Sequence, residues 1–156
     1  MYRSRTALML VLALFGALGV SAQPAPPDIP DTAVRKMLEL GLQNIHRALC
    51  EGINQCAPTT AAELENPPIT IQDARAALMA GTRTALAQWC GLDANRRSVL
   101  PLTQHLRKVL RYNERQIALV AVIHGLQQSM VTEQLGTRGT CDETTRGKLD
   151  AQLPKT

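Results

Sequence analysis

Apolar residues recur at three- and four-residue spacing along four stretches of this chain, and no stretch alternates in the two-residue period of a half-buried strand. Over residues 32–50, Val34, Met37, Leu38, Ile45 and Leu49 fall near one helical face, with Leu42 bridging them. The charges at Arg35, Lys36, Glu39 and Arg47 lie largely elsewhere, and Asp31 stands where a carboxylate caps exposed backbone N–H groups. A second helix is predicted from Thr70, whose hydroxyl precedes Asp73 by three residues, to Gly91, a natural left-handed stop. Its face is Ile71, Ala74, Leu78, Gly81, Ala85 and Trp89, flanked by Ala77 and Leu86, and such small residues predict a close neighbouring helix.

A third helix over residues 94–111 opens behind Asp93 and meets Pro101, where it either starts or kinks. Asn113, with Gln116 three residues on, opens a fourth over 114–135 that ends at Gly136. Its segment 117–123 is the most apolar of the domain, as a central helix requires. Whether 94–135 forms one rod or two helices turning back at Tyr112 is left open by the pattern. Residues 51–69, with Gly52, Pro58, Pro67 and Pro68, read as a long loop that allows one short turn over 61–65. The tail allows a last turn between Asp142 and Leu149. The expected fold is all-α, a small bundle of about four helices.

Ahead of the domain the pattern changes. Arg3 and Arg5 precede an uncharged apolar run over residues 7–20, and Val20-Ser21-Ala22 supplies the small residues a signal peptidase needs. The run is shorter than the roughly 20 residues that span a bilayer. The expected division is therefore a signal peptide over 1–22, a Pro-rich leader over 23–31 and a helical domain over 32–156. No membrane span is expected after cleavage, and the expected destination is the bacterial periplasm or the medium.

Cleavage alters the charge. The whole chain carries +4, and residues 1–22 hold two arginines and no acid, leaving +2. That excess is too small to point to nucleic acid. Trp89 and Tyr112 are the only aromatics beyond the leader, too few for a base-stacking platform. Cys50, Cys56, Cys90 and Cys141 are an even set in an exported chain and read as two disulfides. An antiparallel first and second helix would hold Cys50 and Cys90 apart; a return at Tyr112 would bring Cys141 to Cys90. Cys50–Cys56 with Cys90–Cys141 is the preferred pairing.

His124 interrupts the most apolar helix and is the candidate catalytic residue, since imidazole titrates near neutral pH. The plainer reading is a core histidine satisfied by its neighbours. His46 and His105 lie on other helices, and no spacing suggests a metal site or calls for a cofactor. Ser98, Ser129 and Thr132 lack the companions of a nucleophile. Arg107, Lys108, Arg111 and Arg115 would project together on a continuous helix, a possible contact for an anion or partner, or simply a solvated face. The leading expectation is an exported, non-enzymatic helical protein that binds another protein or an envelope component. Its rivals are a small hydrolase or metal-dependent enzyme with His124 in its site, and a carrier of a small apolar ligand.

Overall fold

The computed structural model describes residues 29–50, 52 and 54–155; the expected signal peptide and residues 23–28 of the Pro-rich leader lie outside them. Helix α1 spans Asp31–Asn44 and closes in a 3-10 turn over Ile45–Arg47. A two-residue antiparallel hairpin follows, β1 Leu49–Cys50 against β2 Asn54–Gln55. Then come α2 Ala61–Glu65, α3 Ile71–Trp89, α4 Leu100–Lys108 entered through a π turn over Asn95–Val99, α5 Glu114–Gly136 and α6 Glu143–Gln152.

The described residues are mostly helical and carry two disulfides, but the helices number six rather than about four. The two additions rest on polar caps more than on apolar periodicity. Thr60 and Glu63 form a reciprocal capping box that starts α2, and the Asp142 carboxylate accepts from Thr145 N–H to start α6. Helix α6 buries only Leu149, with Leu153 just beyond it, too little for a periodic signal.

The first helix also ends earlier than its stripe suggests. At Asn44 the chain tightens and then turns into the hairpin, leaving Leu49 59 % exposed although Ile45 is fully buried. Asp31 opens α1 without capping it; its carboxylate instead pairs with Arg75, which also donates to the Ile29 carbonyl. The start of α1 therefore lies beside the start of α3, and the two are not the antiparallel pair the sequence suggested.

Helix α3 makes its most extensive contact with α5. Their register runs in one direction. Gln116 reaches the Pro68 carbonyl at their beginnings, Gln128 donates to Gln88 further on, and Trp89 Nε1–H donates to the Gly139 carbonyl at their ends. Two parallel helices need a returning segment between them, and the π turn with α4 provides it. Pro101 is the second residue of α4; it lacks the N–H that an uninterrupted α-helix would direct at Arg97, and the wide turn ahead of it absorbs that loss.

The return at Tyr112 brings the end of α5 back to the end of α3, where Cys141 bonds Cys90 with Cα atoms 5.0 Å apart. Cys50 bonds Cys56 across the hairpin at 4.9 Å. The main core joins Val34, Leu38 and Leu42 of α1, Leu78 of α3 and Leu119, Val120 and Ile123 of α5. A smaller cluster around Cys90, Ala94, Leu149 and Leu153 holds the tail. No helix among the described residues is long and apolar enough to cross a membrane.

Candidate functional site

His124 lies at the closest approach of α3 and α5. Gly81 lets the helices touch there: a Cβ at that position would fall 2.5 Å from the His124 carbonyl oxygen. One turn along α3, the Thr84 hydroxyl meets His124 Nε2 at 2.9 Å, Ser98 Oγ at 2.7 Å and the Ala80 carbonyl at 2.9 Å. A hydroxyl has one proton to give, so only one arrangement satisfies all three bonds. Thr84 donates to Ala80 and accepts from both the Ser98 hydroxyl and the His124 Nε2–H. This assignment makes His124 the Nε2–H tautomer.

His124 is 8 % exposed, and burial pushes its pKa below the ordinary histidine value. The space beside it is about 50 Å³, walled by Leu102, Leu106, Ile117 and Val120. That accommodates water but is far below the 300–1,000 Å³ of a typical ligand pocket. No carboxylate among the described residues hydrogen-bonds the ring, so the orienting third member of a nucleophile–base–acid set is missing. His46 and His105 are exposed. Among the described residues no three His, Cys, Asp or Glu side chains are placed to hold a metal ion.

Comparison with protein-family models, with curated proteins and with solved structures finds no match to this chain. A helical bundle would assign no function by itself in any case.

The four basic residues do not form one stripe, because the helix they were placed on breaks. Helix α4 stops at Lys108, and Arg111 takes a left-handed backbone (φ +56°) in the corner before α5. Arg107 forms a forked pair with Glu114, at 2.7 and 3.1 Å. Arg115 pairs with Glu63 and donates to the Ala57 carbonyl, tying α5 to the loop around α2. The Arg115 guanidinium holds the Glu63 carboxyl down to about 2. Lys108 and Arg111 are left at the surface with no ion pair to any described carboxylate, and between them Val109 is 64 % and Leu110 39 % exposed.

This corner is firmly built. Asn113 and Gln116 cap α5 reciprocally, and the Tyr112 N–H donates to the Leu106 carbonyl. Burial and a hydrogen bond to Asp73 raise the Tyr112 hydroxyl to about 12. For Asp73 burial is the largest effect and acts upward, but bonds from Thr70 and Tyr112 outweigh it and leave the carboxyl below its ordinary value.

A cleft of about 310 Å³ opens between α3, α4 and the residues after α6. Arg83, Arg97, Ser98 and His105 give it its polar wall, and Leu102 and Leu153 lie on the apolar side. Its far side exists because Arg97 donates to the carbonyls of Asp150, Leu153 and Pro154 and pairs with the Asp150 carboxylate. Thr84, Arg83, Val109 and Leu110 did not stand out in the sequence. Thr84 alone carried a signal, as a hydroxyl on the alanine-rich buried face of α3.

Proposed function

We propose that the mature domain is an exported, non-enzymatic binding protein of the bacterial periplasm or the medium. It engages an acidic protein surface through the corner joining α4 to α5. The observation that carries this reading is the pair Val109 and Leu110, exposed side by side between Lys108 and Arg111. Two branched aliphatic side chains flanked by two cations offer an apolar centre with a charged rim, the composition of a small protein contact. Arg111 adds to it, since a left-handed backbone at a non-glycine residue costs on the order of 1–3 kcal/mol and is held only where its surroundings fix it. The ion pairs of Arg107 and Arg115 and the cap of α5 provide that fixing, so little ordering remains to be done on binding.

Export is supported by the signal-like residues 1–22 and by two disulfides, which persist in oxidising compartments. The rival reading of a hydrolase or metal enzyme at His124 gains nothing from a ring held by Thr84 beside a 50 Å³ space.

The test is photo-crosslinking in the exporting cell, with the crosslinker at Val109 and a control at exposed Glu133. A protein adduct specific to position 109, lost in Lys108→Glu/Arg111→Glu and weakened by salt, is the expected result. No adduct, adducts common to both positions, or binding only to vesicles of anionic lipid would refute an acidic protein partner.

A further inference from the structure

We propose that the cleft between α3, α4 and the chain after α6 binds a small carboxylate with an apolar body. Its carboxylate is met by the Arg83 guanidinium and an N–H of His105 at the mouth.

Three features of the cleft lead there. Among the described residues its wall contains two arginines and a histidine and no carboxylate. The two arginines play different parts. Arg97 is occupied on every side by the C-terminal residues and builds the wall. Arg83 is exposed and forms no ion pair with any described residue, so its guanidinium remains available. His105 is likewise exposed, on the facing helix.

The polarity is also graded. Ala80 lies one turn before Arg83 on α3, and Pro101 and Leu102 lie one turn before His105 on α4. Side chains three or four apart stand over one another on a helix, so both polar groups have apolar neighbours one turn away on the same face. Leu153 closes the side formed by the tail. A ligand that fits this order has an anionic head at the mouth and an apolar body inside.

Ser98 constrains the ligand further. It lines the cleft at 9 % exposure, and its proton is already given to Thr84, so it presents only oxygen lone pairs to the interior. A second anionic group placed there would be repelled, which favours a single charge. A carboxylate suits Arg83 because a guanidinium meets it through two parallel N–H donors. A volume of about 310 Å³ lies at the lower end for ligand pockets and sets the size to a small acid.

The experiment is a ¹H–¹⁵N chemical-shift titration of the mature disulfide-bonded chain with hexanoate, hexanamide and inorganic phosphate in turn. Hexanoate should saturate in the millimolar range and move amides of residues 80–84, 98–100, 102–105 and 152–153. Hexanamide, of the same shape without the charge, and phosphate, with charge and no apolar body, should not saturate. Arg83→Gln, at an exposed position that leaves the fold intact, should weaken hexanoate about tenfold, the size of a lost charge-assisted bond. His105→Gln should weaken it less. Failure of hexanoate to saturate, equal binding of hexanamide or phosphate, or unchanged affinity in Arg83→Gln would each overturn the site. None of these outcomes bears on the corner at Val109, whose test is separate.

Discussion

Replacing Gly81 by alanine adds one methyl group where α3 and α5 touch, and its cost can be worked from three distances. The new Cβ would stand 2.5 Å from the His124 carbonyl oxygen, 3.0 Å from Gln127 Cβ and 3.2 Å from the Gln128 nitrogen. Ordinary contact begins near 3.4 Å, so relieving the shortest approach needs about 0.9 Å of separation. Two of the three atoms belong to the α5 backbone, which moves only with the whole helix. That movement would loosen Leu119 and Ile123 in the core and stretch the bond that His124 donates to Thr84.

Overpacking of this kind costs roughly 1–3 kcal/mol, while alanine gains about 0.8–1 kcal/mol over glycine in a helix. Because two of the contacts are backbone atoms the cost falls in the upper half of that range, about 2–3 kcal/mol, and the net loss for Gly81→Ala should be about 1–2 kcal/mol. Gly125 lies within α5 with nothing inside 4 Å of its Cβ position, so the same change there should gain about 0.5–1 kcal/mol. Gly41→Ala should also lose stability: its Cβ would meet Cγ1 of the fully buried, β-branched Ile123 at 2.6 Å, an atom close to the backbone rather than a free side-chain end. Urea unfolding of the three variants measures the order. If Gly81→Ala proves as stable as the parent, or shifts the same way as Gly125→Ala, the close packing of α3 on α5 is wrong.

Three further outcomes follow from the same contacts. Thr84→Val removes the oxygen that accepts from both Ser98 and His124, leaving two buried donors unpaired; a loss of about 2–5 kcal/mol by urea unfolding is expected, and a loss below 1 would contradict the shared node. Because the folded-state pKa of Glu63 is depressed from 4.5 to about 2, its contribution is full above 4.5 and disappears as pH falls toward 2. The stability difference between the parent and Glu63→Gln, at most about 3 kcal/mol near neutrality, should therefore vanish near pH 2, and one that persists there has another source. Replacing Cys90 and Cys141 by serine opens a loop of 51 residues and should cost about 4 kcal/mol, against about 2 for the six-residue Cys50–Cys56 loop; thermal melts in the reverse order would contradict the loop-entropy reading.

How much of this was legible in the sequence depended on whether the signal was local. Thr70 with Asp73, and Asn113 with Gln116, announced the starts of α3 and α5 because capping chemistry acts within one turn. Gly91 announced the end of α3 for the same reason, at φ +68°. The end of α1 was not legible: Leu49 continues the apolar period, but the chain turns at Asn44 to close the hairpin around Cys50–Cys56. Helix α6 was faint because Arg97 and, through Cys141, Cys90 hold it, both more than forty residues away in sequence.

The candidate residues divide along the same line. His124 could be found because a polar residue in the most apolar helix is conspicuous at once. Its partners could not, since Thr84 and Ser98 meet it only after α4 turns the chain back between α3 and α5. The basic residues show the converse. Spacing alone put Arg107, Lys108, Arg111 and Arg115 on one face, but Glu114 and Glu63 were free to claim two of them once the helix broke at Lys108. The break also brought out what the spacing hid: Val109 and Leu110 occupy helical positions by periodicity, and only the corner turns them both toward solvent. A charge pattern thus fixes which residues are available for contact only after the carboxylates of the fold have been assigned, and here that assignment leaves Lys108 and Arg111 at the corner and Arg83 at the cleft.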